Sequence, residues 1–180
     1  MNKLLFIVLF LLLKSNLVLS QEVPKEQTTK YNVFSFDKEL ILPGSPEIIY
    51  DAITGDISAW WDHSYSDKPY KFFIEPKPGG GFYEIFNDEG DGVLHATVIL
   101  AERGKRLRFD GPLGLSGTAI KMVHTYEFEE AGQDSTKLKL SVHAAGEMNE
   151  KIGEIVSKVW DHFLFEKFKP YVEKGEYLNK

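Results

Sequence analysis

The stretch that decides the fold runs from residue 60 to residue 114. It reads Trp60-Trp61-Asp62-His63, then Pro78-Gly79-Gly80-Gly81-Phe82-Tyr83-Glu84, then Val93-Leu94-His95-Ala96-Thr97-Val98. It ends Gly104-Lys105-Arg106-Leu107-Arg108-Phe109-Asp110-Gly111-Pro112-Leu113-Gly114. Runs with strand alternation are separated by glycine turns, the pattern of antiparallel hairpins. An aromatic pair, two histidines and a glutamate are set among them, which gives the stretch the look of a pocket wall built on a curved sheet.

The pattern continues on both sides. Before it, Phe34, Phe36, Leu40 and Leu42 share one parity from Tyr31 onward, which predicts a strand that Pro43-Gly44 ends. Ser45-Pro46-Glu47 then predicts a helix start, with a capping hydroxyl, a proline at the first helical position and an acid near the positive helix end. Ile48, Ile49, Ala52 and Ile53 are its expected buried stripe, Gly55 its stop, and a second short helical turn is expected over Ile57 to Trp61. Strands are expected over 70–75, 81–86, 92–102, 106–110, 118–129 and 136–145. In the last, Leu138, Leu140, Val142 and Ala144 oppose Lys137, Lys139, Ser141 and His143.

After residue 149 the period changes. Ile152, Ile155, Val156, Val159, Trp160, Phe163, Leu164 and Phe168 recur at spacings of three and four, predicting a long amphipathic helix that ends before Pro170. The order predicts an α+β fold: a curved antiparallel sheet wrapped around a long C-terminal helix, with two short helices after the first strand. The terminal helix is the one element long enough to cover the sheet's apolar face. A sheet curved that strongly leaves room for a small molecule at its open end.

The chain opens with Lys3, an unbroken apolar run of ten residues from Leu4 to Leu13, and Val18-Leu19-Ser20 before Gln21. This is the pattern of a cleavable secretory signal peptide cut after Ser20. An uncleaved anchor is the alternative, although Lys14 breaks the run well short of the ~20 apolar residues that a membrane span needs. The expected division is signal peptide 1–20, flexible leader 21–33, one domain 34–172 and a C-terminal tail 173–180. Removing Lys3 and Lys14 from the 21 basic residues leaves 19 against 27 acidic ones, a formal charge of −8 on the mature chain. No basic cluster points to nucleic acid, and no stable membrane insertion is expected once the signal is cut. The absence of cysteine excludes disulfides, thiol nucleophiles and zinc–thiolate sites, and fits periplasmic export better than a small disulfide scaffold.

The order of elements resembles the helix-grip fold of the START-like (SRPBCC) superfamily, which includes polyketide cyclases, the Bet v 1 plant allergens and the Hsp90-ATPase-activator-like proteins. The residues that carry the resemblance are Ser45 to Ala52 with Trp60-Trp61, Pro78 to Glu84, Leu94 to Val98 and Gly104 to Arg108 with Gly111 to Gly114. They match a bacterial subgroup described only as START-like or polyketide-cyclase-like, over about residues 34–172. The superfamily puts carriers, receptors, cyclases and chaperone partners on one scaffold. The resemblance therefore implies the fold, and an exported setting counts against an Hsp90-activating role.

For chemistry, the candidates are Glu84 and His95. A hairpin with its loop at 87–92 places Phe86 opposite Val93, Ile85 opposite Leu94 and Glu84 opposite His95. A carboxylate in that position would fix the imidazole tautomer and poise a general base. Strand parity puts Leu94, Ala96, Val98 and Leu100 on the purer apolar face and His95 on the other, an assignment that a bulge would reverse. The remaining candidate ligand-binding residues are Trp60, Trp61, His63, Phe82, Phe109, His124, Tyr126, Trp160 and Phe163, each of which also suits a core. His143 reads as outward-facing and His162 as inert. The spacing of His63, Glu84 and His95 supports no metal site, and no cofactor is expected. Gly111 to Gly117 lacks the features of a phosphate loop and reads as a mobile pocket rim.

Three functions fit. The first is an exported carrier or sensor for a hydrophobic or aromatic small molecule. The second is an enzyme of cyclase, dehydratase or isomerase type using His95 and Glu84, and the third is an envelope interaction or stress domain. The sequence leaves the oligomeric state open.

Overall fold

The computed structural model describes residues 30–180; the expected signal peptide, and the leader up to residue 29, lie outside them. Eight strands form a single antiparallel sheet: β1 (Tyr31–Pro43), β2 (Gly55–Asp56), β3 (Lys71–Ile74), β4 (Gly81–Ile85), β5 (Gly92–Glu102), β6 (Arg106–Asp110), β7 (Ile120–Glu130) and β8 (Ser135–Glu147). Their spatial order is β1-β8-β7-β6-β5-β4-β3-β2. All sequential neighbours from β2 to β8 are therefore adjacent, and β1 closes the far edge against β8.

Helix α1 (Pro46–Ile53) carries the chain from β1 to β2, at opposite edges of the sheet. Its start is as the sequence predicts: the Ser45 hydroxyl accepts a hydrogen bond from the Ile48 N–H and donates one to Glu47. Its buried face differs in one residue. Ile49, Ala52 and Ile53 are buried, but Tyr50 takes the place expected for Ile48, packing 5.4 Å from the Phe128 ring while Ile48 faces out. The expected second helix is one hydrogen-bonded turn, in which Trp60 and Trp61 both donate to the Ile57 carbonyl. The two-residue strand β2, too short to show a period, precedes it.

The terminal helix fills the concave face. It runs as α2 (Ile152–Asp161), a π-helical segment (His162–Phe168) and α3 (Lys169–Glu173). It continues past Pro170, where the sequence predicts a stop. The Lys169 N–H bonds five residues back to Leu164, so the proline, which lacks an N–H, falls where the ladder already changes register. Trp160 packs 5.4 Å from His124 and 6.0 Å from Tyr126 of β7, and Phe168 packs 4.9 Å from Trp60. Val98, Leu107, Leu138, Leu140 and Val142 form the fully buried floor beneath.

At the ends, Tyr31 to Val33, where the expected strand alternation begins, pair with Ala145 to Glu147. The last residues, expected as a tail, fold back: the Lys180 ammonium reaches the carbonyls of Asp51, Ala52 and Thr54 at the end of α1. Among the described residues no helix is long and apolar enough to cross a membrane.

Candidate functional site

The site begins with an irregularity in the β4–β5 hairpin. Ile85 pairs with Gly92, Glu84 with Val93 and Tyr83 with Leu94, but Phe82 pairs with Ala96. His95 is therefore the extra residue of a β-bulge, and the expected Glu84–His95 cross-strand pairing is corrected to Glu84–Val93. The bulge moves the parity by one. Leu94 turns out to solvent at 53% exposure, while His95 and Ala96, consecutive in sequence, are both buried. Gly111, just after the end of β6, seats the bulge. A Cβ at that position would lie 2.5 Å from the Ala96 Cα and 2.6 Å from the His95 carbonyl oxygen, so only glycine fits.

Although unpaired along the ladder, the two side chains meet. His95 Nε2 is 3.0 Å from Glu84 Oε2, and Glu84 is fully buried. Glu84 also accepts hydrogen bonds from the Ser64 hydroxyl and from the backbone N–H groups of Tyr65 at 2.9 Å and Ser66 at 3.1 Å. Burial alone would raise the Glu84 pKa, but these donors, led by Ser64, outweigh it and hold the carboxyl below its ordinary value. Burial lowers the pKa of His95 against the opposing pull of Glu84 and, after it, of the Leu113 backbone. An ionised carboxylate facing a neutral imidazole assigns the proton to Nε2. Nδ1 carries the lone pair and is buried beside the Leu113 backbone, with no hydrogen bond in good geometry among the described residues.

The same hydrogen bonds fold the segment after Trp61 over the end of the sheet. The Tyr65 hydroxyl donates to the Gly114 carbonyl at 2.7 Å, tying that segment to the 112–116 rim. There a turn over Leu113–Leu115 holds Leu113 at φ 50, a left-handed conformation that is costly for a leucine. Between these two segments and the inner face of the terminal helix lies a cavity of about 310 Å³. Its walls are Trp61, His63, Ser64, Tyr65, His95, Pro112 to Leu115, Met122, Ile155, Val156, Val159, Trp160 and Phe163. The Trp61 and Phe163 rings stack at 3.8 Å, nearly parallel at 11°.

Of the residues singled out from sequence, Trp61, His63, His95, Trp160 and Phe163 line this cavity and Glu84 stands behind His95. The others belong to the core and are absent from its walls. Trp60 packs on Phe168, Phe82 under Trp61, and Phe109 against Tyr126. His124 is fully buried beneath Trp160 with neither ring nitrogen bonded, and burial pushes its pKa down to about 3. Sequence reasoning does not find Ser64, Tyr65, Met122 or the valines of α2. The valines read as helix core, and nothing local in the sequence marks a serine and a tyrosine as folding back onto a glutamate about 20 residues away.

His162, read from the sequence as inert, is bonded through both ring nitrogens. Its Nε2 is 3.0 Å from both Asp62 carboxylate oxygens and its Nδ1 2.9 Å from Glu166. His63 Nδ1 is 3.0 Å from Asp62, and Lys167 Nζ is 2.7 Å from it. Partial burial works to raise the Asp62 pKa, but Lys167 and the two histidines hold it far below the usual carboxylate range. His63 thus belongs to this second cluster as well as to the cavity wall.

A sheet gripping a terminal helix, with a cavity under the open end, defines a START-like (SRPBCC) domain, a ligand-binding scaffold. Within that class, residues 43–173 match the model for the Activator of Hsp90 ATPase homolog 1-like protein family, and the chain belongs to that family. Solved structures share the fold at low identity. A protein of unknown function, SA2116 from Staphylococcus aureus, is 14% identical, with a TM-score of 0.61 over 82% of this chain and 98% of its own. Protein MLL2253 from Mesorhizobium loti is 20% identical, with a TM-score of 0.57 over 78% and 98%. The Aha1 dimer from Colwellia psychrerythraea is 19% identical, with a TM-score of 0.52 over 78% and 96%. No curated protein matches the chain.

Proposed function

We propose that the protein binds one hydrophobic or aromatic small molecule in the cavity beneath the terminal helix, and that it does so after export from the cytoplasm. The observation that carries this reading is the cavity of about 310 Å³, at the lower end of the size range of small-molecule pockets, with mostly apolar walls. Its aromatic side, the stacked Trp61–Phe163 pair, suits a flat apolar ligand. His95, a cavity wall whose ring Glu84 holds in one orientation, adds a polar edge to these walls. Lys3, the apolar run Leu4 to Leu13 and Ser20 support the export.

Native mass spectrometry of protein purified from its own host tests the binding. The expected result is a single non-covalent adduct of small-molecule mass that Val156→Trp, which fills the cavity, abolishes. Protein that emerges without an adduct, and that takes up no apolar aromatic probe from a panel, defeats the reading.

A second reading rests on the same histidine. In a neutral imidazole whose Nε2–H is committed to a carboxylate, Nδ1 holds the lone pair, and a small movement of the Leu113 turn that uncovers it would make it a general base. Cyclase, dehydratase or isomerase chemistry would begin with proton abstraction by that nitrogen. Turnover of a bound compound that survives His95→Ala unchanged excludes this mechanism.

A further inference from the structure

We infer that Asp62, His63 and His162 form a binding site for a divalent transition-metal ion next to the cavity wall that His63 supplies, with zinc as its representative. The three donors come from two elements 100 residues apart and converge: His162 Nε2 and His63 Nδ1 each lie 3.0 Å from Asp62, and all three ligand atoms lie within 4.8 Å of one another. Bonds of ~2.0–2.2 Å to a tetrahedral zinc put neighbouring donors roughly 3.3 Å apart, so the cluster needs only a small adjustment to close on an ion. Two imidazoles and one carboxylate also suit a borderline metal better than calcium or magnesium, which prefer all-oxygen sites.

The surroundings favour coordination over a simple ion pair. Glu166 sits 2.9 Å from His162 Nδ1, the carboxylate–histidine contact that fixes a ligating ring and leaves the other nitrogen for the metal. The backbone at His63 is held by the Trp61 indole, which donates to its carbonyl at 2.9 Å, and the His63 ring rests 4.7 Å from Phe163. His162 opens the π-helical segment, a local departure that recurs at functional sites and here carries His162, Glu166 and Lys167 to the Asp62 cluster. The counter-charge is Lys167, 2.7 Å from Asp62. It is a flexible side chain whose ammonium yields this position to a doubly charged ion. Three protein ligands leave a four-coordinate zinc one open position, and His63 is also a cavity wall, so the ion would stand beside whatever fills the cavity.

The test uses the full chain, purified without a histidine tag and stripped with chelator. Titration with Co²⁺ is expected to give one equivalent of visible d–d absorption that Zn²⁺ displaces. His63→Gln and His162→Gln should each weaken Zn²⁺ binding at least tenfold. Glu166→Gln, which acts through His162, should weaken it about tenfold, and Lys167→Gln should leave it equal or tighter. Nitrogen-15 spectra of the histidine rings give a readout that does not depend on any variant folding: Zn²⁺ should shift His162 Nε2 and His63 Nδ1 and leave His143 unmoved. Co²⁺ binding no stronger than in the His63→Gln/His162→Gln double variant overturns the inference, as do histidine spectra that Zn²⁺ leaves unchanged. Either result makes the cluster an ion-pair network that latches the 61–66 segment to the helix.

Discussion

His95 Nε2 lies 3.0 Å from Glu84 Oε2 even though the two residues are not partners in the β-ladder. The contact exists because a bulge turns one extra residue inward, toward a carboxylate that three groups of the 64–66 segment already hold in place. Glu84 thus joins the sheet, the pocket wall and the histidine through a single buried charge. A cross-strand pair at the surface would contribute at most about 1 kcal/mol. Glu84→Gln keeps the shape but puts an amide N–H₂ where donors converge on a buried position, so some of those donors lose their acceptor. The expected cost is about 2–4 kcal/mol in urea unfolding. A loss below about 0.5 kcal/mol would mean that Glu84 is not the hub of this network.

Gly111 is required by the same bulge. A methyl group there meets the His95–Ala96 backbone at 2.5–2.6 Å, and backbone cannot rotate away as a side chain can. Gly111→Ala is expected to cost about 1–3 kcal/mol and to displace His95, visible as a changed imidazole signal. Gly114→Ala is the control: an added Cβ there meets no atom within 4 Å, so the change should be close to neutral in stability.

Most of the architecture is legible in the sequence because periodicity reports which face of an element is wet. β5 and β6 fall on their expected bounds, and β7 and β8 within two residues of theirs, with Leu138, Leu140 and Val142 buried as the alternation requires. The bulge is not legible. Alternation through Leu94, Ala96 and Val98 is unbroken on paper, and only the fit of Gly111 against the neighbouring strand shows that the parity changes at His95. The pocket is legible in part. Large aromatics are conspicuous, yet Trp60, Phe82, Phe109 and Tyr126 pack as core, and one side of the cavity is made by valines and a folded-back serine and tyrosine. Asp62 and His162 are brought together by tertiary structure alone, which no spacing rule reaches.

His124 makes the fold sensitive to acid. Its pKa falls from 6.5 to about 3 because burial excludes the charged form, and no carboxylate offsets this. A histidine with a lowered folded-state pKa binds fewer protons folded than unfolded, so stability is complete above the ordinary value of 6.5 and falls as the pH drops below it. Between about pH 7.5 and pH 5 this single residue should remove on the order of 2 kcal/mol, since roughly 1.5 pH units lie below the unfolded pKa at ~1.36 kcal/mol each. His95, also lowered, acts in the same direction. His124→Phe should flatten the pH dependence of the unfolding free energy over this range. An unaltered slope would show that His124 titrates normally in the folded protein.

The cavity wall offers a separation of binding from stability. Val156 and Val159 line the cavity from α2 and are only partly buried, so enlarging either fills space without forcing apart the tight floor of Val98, Leu138 and Leu140. Val156→Phe is expected to leave the melting temperature within a few degrees of the parent while reducing uptake of an apolar aromatic probe at least tenfold, followed by quenching of Trp61 and Trp160 fluorescence. Phe163→Ala acts oppositely. It removes the ring stacked on Trp61 at 3.8 Å, widens the cavity and should cost about 3–5 kcal/mol. If both variants bound the probe like the parent, the probe would be binding elsewhere on the surface, and the cavity would lose its claim to be the site.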